Sequence, residues 1–115
     1  MLMSRCNITT HILDTSRGKP AARVKVKLEK EQAFTWETAA SGETDSDGRL
    51  ATLTPGGISP GHYRLSAAFG AWFARQGVDA LYGSAIVDFF VLEGQEHLHL
   101  PLLISPYGWS TYRGS

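Results

Sequence analysis

The sequence has one cysteine, Cys6, so no disulfide can form within the chain. That usage suits a reducing compartment. It has no net charge either, because eleven Lys and Arg offset eleven Asp and Glu. The basic excess that draws a protein to nucleic acid or to an anionic membrane is therefore missing. So is the self-repulsion that would oppose association of copies. No apolar run approaches the length of a membrane span. The opening Met1-Leu2-Met3-Ser4-Arg5-Cys6 lacks the apolar stretch of a secretory signal. The closing Arg113-Gly114-Ser115 is not a peroxisomal address of the Ser-Lys-Leu type. Cytoplasm is the expected location. Internal repeats, linkers and low-complexity tracts are also missing, and 115 residues make one domain, 1–115.

Several kinds of chemistry lack their residues. No serine sits in a Gly-x-Ser-x-Gly elbow, and no glycine loop of the P-loop or dinucleotide type is present. Cys6 lies in a stretch of alternating apolar residues, where packing is its expected role. Asp88 is isolated among apolar neighbours, either paired within the core or turned to solvent.

What the chain does have is alternation with a period of two, the mark of half-buried strands. Val24, Val26 and Leu28 share one face and Lys25, Lys27 and Glu29 the other. Phe34 and Trp36 alternate with Thr35 and Glu37, and Tyr63, Leu65, Ala67 and Phe69 with His62, Arg64 and Ser66. Residues 85–92 are apolar except for Asp88, which predicts a strand covered on both faces. Leu98, Leu100, Leu102 and Ile104 line one face of a later strand. Asp47-Gly48 suits a tight reversal. Only residues 71–76 read as a helical turn, stopped by Gly77. Short strands with turn signals between them and one short helix predict an all-β, antiparallel β-sandwich.

Four basic side chains are candidates for chemistry. His11 has the opposite parity to Ile8 and Ile12, so it points away from the apolar side. His97 and His99 share one strand face about 6.5 Å apart along the chain. Such a pair serves as zinc ligands, as an acid–base with a positioning neighbour, or simply as solvated histidines. Arg49 follows the Asp47-Gly48 turn, and a guanidinium there offers a fixed fork of donors to carbonyl oxygens or an oxyanion. Pro101 cannot donate to a ladder, so it belongs at an edge, at a bulge or where its nitrogen side is unpaired. A strand of that kind could turn its histidine face toward a partner subunit.

The order of these signals resembles a known family. The segment from Ile8 through Thr10-His11-Ile12-Leu13-Asp14 to Pro20-Ala21, then Asp47-Gly48-Arg49, then the run from His97-Leu98-His99 to Tyr112-Arg113-Gly114-Ser115 resemble three motifs of the 5-hydroxyisourate hydrolases of the transthyretin-related family. The resemblance spans essentially the whole chain. It implies a transthyretin-like sandwich of two four-stranded sheets with residues 71–76 as the single helix. It further implies a homotetramer, a dimer of dimers, with active sites in the channel between dimers. Carried over by position, His11, Arg49 and His99 form the catalytic set, and Tyr112, Arg113, Gly114 and Ser115 help to form the substrate pocket. His97 falls beside the set. One stretch departs from the family: where many relatives have two aromatics and a proline, this chain has Leu81-Tyr82-Gly83-Ser84.

The implied activity is hydrolysis of 5-hydroxyisourate to the ring-opened ureidoimidazoline during urate breakdown. Water would attack directly, with an imidazole as base and Arg49 on the developing charge. The resemblance implies no cofactor and no metal, and its only partners are the small-molecule substrate and further copies of the chain. A transthyretin-like carrier that binds a small ligand without turnover is the competing reading. A zinc site built from His97, His99 and His11 is the second competitor.

Overall fold

The computed structural model of the protein describes residues 4–115; of the opening segment judged against a secretory signal, Met1-Leu2-Met3 lies outside them. In chain order the elements are β1 (Asn7–Asp14), β2 (Lys19–Pro20), β3 (Lys25–Gln32), β4 (Thr35–Glu43), β5 (Arg49–Leu50), β6 (Gly61–Ala67), α1 (Phe69–Ala74), β7 (Ala85–Val91), β8 (His97–Ser105) and β9 (Gly108–Thr111). They build two sheets. One runs β4-β3-β6-β7, antiparallel throughout. The other runs β2-β1-β8-β9, and β5 pairs with β1 on the edge that β2 also uses. This second sheet holds five strands rather than the expected four, because two strands of two residues share one edge of β1.

One pairing departs from the antiparallel expectation: β1 and β8 are parallel, from Asn7↔His97 to Asp14↔Ile104. A hairpin turn forces antiparallel neighbours, but these strands are separated by the whole of the other sheet, so nothing imposes that direction. The consequence reaches the site, because parallel register sets Thr9 beside His99.

Alternation decides which side chains meet between the layers. Ile8 and Ile12 of β1 and Leu98, Leu100, Leu102 and Ile104 of β8 are buried. They face Val26 and Leu28 of β3, Tyr63, Leu65 and Ala67 of β6, and Val87 and Val91 of β7 in one core cluster. Each fully buried Ile or Leu there contributes about 1.5–3 kcal/mol. Buried threonines are paired: Thr10 Oγ1 donates to the Leu100 carbonyl at 2.7 Å, and Thr44 Oγ1 donates to that of Ala21 at 2.7 Å. Cys6 is fully buried, as packing required, and burial raises its thiol pKa.

Helix α1 begins two residues earlier than expected and packs Phe69, Trp72 and Phe73 inward. The turn that follows it ends at Gly77, which has φ of +72°. Gly77 N–H donates to Ala74 O and Val78 N–H to Phe73 O, both at 3.0 Å, the pair of bonds that closes a helix at a left-handed glycine. The divergent Leu81-Tyr82-Gly83-Ser84 stretch passes over the start of α1, where Gly70 N–H donates to Gly83 O at 2.9 Å. No helix among the described residues is long and apolar enough to cross a membrane.

Two strands are more open than their sequences suggest. β7 is buried on one face only: Ile86 and Phe90 stay exposed, because they lie on the outer face of their sheet and no layer of the described residues packs over it. Phe34 is fully exposed in the β3–β4 turn, and Trp36 lies on the outer face with the Arg64 guanidinium 4.3 Å from its ring centre. Asp88 faces outward and accepts a hydrogen bond from His62 Nε2 at 2.6 Å.

Candidate active site

The polar face of the β2-β1-β8-β9 sheet collects the candidate residues. On β1 the odd positions point outward, so Thr9 and His11 stand on that face while Ile8, Thr10 and Ile12 are buried. On β8 the same alternation puts His97 and His99 outward. Their ring centres are 6.4 Å apart.

Arg49 reaches this face through its turn. Asp45 Oδ1 accepts hydrogen bonds from the backbone N–H groups of Asp47 (2.8 Å) and Arg49 (2.9 Å). These bonds, that of Arg49 first, lower the Asp45 pKa. Gly48 has φ of +75°, and an added Cβ would stand 2.4 Å from the Ile12 carbonyl oxygen. Only glycine lets the turn approach β1 so closely, and Ile12 N–H donates to Gly48 O at 2.7 Å. Arg49 thereby comes into register with His11. His11 Nε2 donates to the Asp47 carbonyl at 2.9 Å, which leaves Nδ1 with its lone pair in the neutral ring.

The C-terminal segment closes the other side. Beyond the Leu102↔Thr111 pair the register continues to a bridge at His99↔Gly114, with Gly114 N–H donating to His99 O at 2.8 Å. Pro101 falls in the gap between them, where the ladder is not bridged; its carbonyl accepts from Thr111 Oγ1 at 2.8 Å. A nitrogen without hydrogen is tolerated there, as Pro101 required. Gly114 lies against the imidazole so closely that a Cβ would be 2.5 Å from His99 Cδ2.

Thr9, Thr10, Arg49, Ala51, His97, His99 and Ser115 line a depression of about 250 Å³. His11 stands at its border through its pairing with Arg49. Gly114 and Ser115 are brought to His99, while the exposed Tyr112 and Arg113 do not line the depression of this chain. The His99 pKa is lowered, first by burial and then by the charge interactions with His97, His11 and Arg49. Both causes favour the neutral imidazole, the form that accepts a proton. Among the described residues, no three His, Cys, Asp or Glu side chains are arranged to hold a metal ion.

A larger depression, about 670 Å³, lies on the outer face of the other sheet between Lys27, Glu29, Ser66 and Ile86. Its most buried charge, Glu29, is taken up by Arg64 Nε at 2.8 Å, and it holds no imidazole or thiol. The smaller depression has the chemistry. One of its members, Thr9, was not foreseen: it is a β-branched residue in a strand until the parallel pairing sets it between two imidazoles.

Comparison with known proteins agrees with this architecture. A 5-hydroxyisourate hydrolase of Caulobacter vibrioides is 40% identical over 112 residues, covering 94% of this chain and 97% of that one. The structure of the 5-hydroxyisourate hydrolase of Klebsiella pneumoniae superposes with a TM-score of 0.87 at 47% identity, covering 98% of this chain and all of that one. Transthyretin from Sparus aurata superposes with a TM-score of 0.88 at 33% identity, over 96% of this chain and 97% of that one. The HIUase/Transthyretin family model matches residues 8–114, nearly the whole sandwich together with the polar face that carries His11, Arg49 and His99, and the chain belongs to that family.

Proposed function

We propose that this chain hydrolyses 5-hydroxyisourate, opening its ring amide to give 2-oxo-4-hydroxy-4-carboxy-5-ureidoimidazoline in urate degradation. The observation that carries this reading is the convergence of His99, Arg49 and Ser115 on one depression, with His11 paired to Arg49 at its border. The identity to 5-hydroxyisourate hydrolases over nearly the full chain supports the same substrate.

His99 is the base in this scheme. It lines the depression and its lowered pKa favours the proton-accepting form, whereas one nitrogen of His11 is committed to the Asp47 carbonyl. A water molecule gives a proton to His99 as its oxygen bonds to the ring carbonyl carbon. The carbon–nitrogen bond then breaks, and the departing nitrogen takes a proton back from the same imidazole. Arg49 donates to the carbonyl oxygen as charge develops there, a contribution whose loss commonly lowers rates by about 10²–10³. His11 orients the substrate beside Arg49. Ser115 and the Tyr112-Arg113-Gly114 segment shape the pocket, Tyr112 and Arg113 acting where copies of the chain meet.

The assembly proposed is a tetramer, a dimer of dimers, with the depression facing a second pair of subunits. The exposed Ile86, Phe90, Tyr107 and Tyr112 on or beside the edge strands support burial against other copies. Sedimentation equilibrium at micromolar concentration tests it: a monomer or a lone dimer contradicts the assembly. The cytoplasm is the compartment proposed, on the strength of a single cysteine, and cell fractionation checks it.

Function is tested by generating 5-hydroxyisourate in place with urate oxidase and following its ultraviolet absorbance. Acceleration by the wild type, with decay near the spontaneous rate for His99→Ala and Arg49→Ala, is the expected result. The carrier reading keeps one specific support, the fold shared with a sea bream transthyretin solved in complex with thyroxine, TM-score 0.88 at 32% identity. Saturable binding of an aromatic ligand by a folded tetramer that gives no acceleration would select the carrier.

A further inference from the structure

Thr9 lies opposite His99 in the parallel β1–β8 pair, and the neighbouring outward pair is Asn7↔His97. Its Oγ1 is 2.8 Å from His99 Nδ1 and 2.9 Å from His97 Nε2. A threonine hydroxyl has one hydrogen and two lone pairs, so it can donate to only one of these nitrogens, and at least one of the two must carry a hydrogen. The two imidazoles are therefore coupled through a single oxygen.

Two arrangements place the hydroxyl hydrogen between the rings; a third, in which both nitrogens donate to Thr9 and its hydrogen points away, leaves His99 Nε2 as free as the first does. In the first, His99 Nδ1–H donates to Thr9 Oγ1, and Thr9 O–H donates to His97 Nε2. His99 Nε2 then keeps its lone pair. In the second the chain runs the other way: His97 Nε2–H donates to Thr9, and Thr9 donates to His99 Nδ1. The hydrogen of neutral His99 then sits on Nε2, and that nitrogen cannot accept a proton. We propose that Thr9 is a positioning residue that holds His99 in its Nδ1–H tautomer, with His97 as the far acceptor of the chain. This rests on the reading of His99 as the base.

The physical case has three parts. The charged and titratable groups facing His99 are His97 on β8, His11 on β1 and Arg49 on β5. None of these is a carboxylate, so the orienting partner that an aspartate supplies to other catalytic histidines must come from elsewhere, and Thr9 Oγ1 is at the right atom. Second, once His99 Nε2 takes a proton, both ring nitrogens carry hydrogen. The second arrangement is then lost, because His99 Nδ1 can no longer accept, and the bond from the imidazolium to Thr9 becomes charge-assisted. The chain therefore tightens as the reaction proceeds. Third, His97 is exposed, so its Nδ1–H is free to donate to solvent in the first arrangement.

The test uses the full chain labelled with ¹⁵N-histidine. Long-range ¹H–¹⁵N correlation spectra above about pH 8, where imidazoles are neutral, report which ring nitrogen carries hydrogen. The His99 signals are assigned by their loss in His99→Ala. The wild type should show His99 protonated at Nδ1. Thr9→Val keeps the shape and the strand preference but removes the hydroxyl. It should raise the Nε2–H population and lower kcat/KM about ten- to a hundredfold with melting unchanged, mainly through kcat. Thr9→Ser should restore both tautomer and rate; Thr9→Ala replaces the valine variant if that one fails to fold. His99 protonated at Nε2 in the wild type, or an unaltered tautomer in Thr9→Val, overturns the proposal. Full activity of His99→Ala would instead refute His99 as the base, and the spectra would still decide what Thr9 does to the ring.

Discussion

Adding one methyl group at Gly114 should disable the site while sparing the fold. An alanine Cβ at this position would stand 2.5 Å from His99 Cδ2 and 3.1 Å from Pro101 Cγ. Carbon atoms in ordinary contact are about 3.5–4.0 Å apart. The imidazole or the C-terminal segment must therefore move by about 1 Å. Pro101 is buried on β8, which is flanked by β1 and β9, so it has little room to yield. Gly114 does not have a positive φ, so alanine adds crowding without backbone strain. A displacement of about 1 Å in a reacting group costs about 10²-fold in rate. Should the segment swing away instead, the Gly114 N–H to His99 O bond is lost, worth about 1 kcal/mol, and Ser115 leaves the depression. The expected result is a fall of about 10²-fold in kcat/KM for 5-hydroxyisourate, with a melting temperature lower by about 6 °C at most. Gly83→Ala is the control, since a Cβ there meets nothing within 4 Å. Gly114→Ala with the kcat/KM of the wild type would refute the claim that His99 must sit where this segment holds it.

Other positions give further checks. Ala33 and Phe34, at φ of +51° and +68°, make the two-residue turn between β3 and β4 without glycine or asparagine. Replacing them with Asn-Gly should stabilise the protein by about 1–2 kcal/mol in urea unfolding, since left-handed backbone disfavours side chains and the exposed Phe34 ring gives up no packing; an unchanged midpoint contradicts this. The lowered His99 pKa places the acid limb of kcat/KM below the usual imidazole value of about 6.5, and Arg49→Ala, by removing a facing positive charge, should move the limb upward in whatever activity remains. A wild-type limb at or above neutrality would show that burial does not hold this ring neutral. On the opposite sheet the His62 pKa is raised, first by its hydrogen bond to Asp88 and then by that to Glu31. Its folded pKa exceeds the unfolded one, so its stabilisation is full below about 6.5 and is lost as pH rises through the folded value. Unfolding of wild type and Asp88→Asn compared across that window should show the difference shrinking with rising pH; a constant difference rules the linkage out.

Period-two alternation was enough to assign the inward faces of β1, β3, β6 and β8, because the side of a strand follows from parity alone. Asp47-Gly48 and Gly77 marked a turn and a helix end through their backbone freedom. His11, Arg49 and His99 stood out by residue type and order, the latter two now lining one depression. Apolar content misled on the outer face of the β4-β3-β6-β7 sheet: Trp36, Ile86 and Phe90 are apolar, yet a single chain has no layer to cover them. What parity cannot specify is which strand lies beside which, and in what register. That outcome is set by the joint packing of two sheets and by backbone hydrogen bonds between residues some ninety positions apart. From it alone come the parallel β1–β8 pairing, the place of Thr9 between two imidazoles, and the need for a residue without a side chain at Gly114.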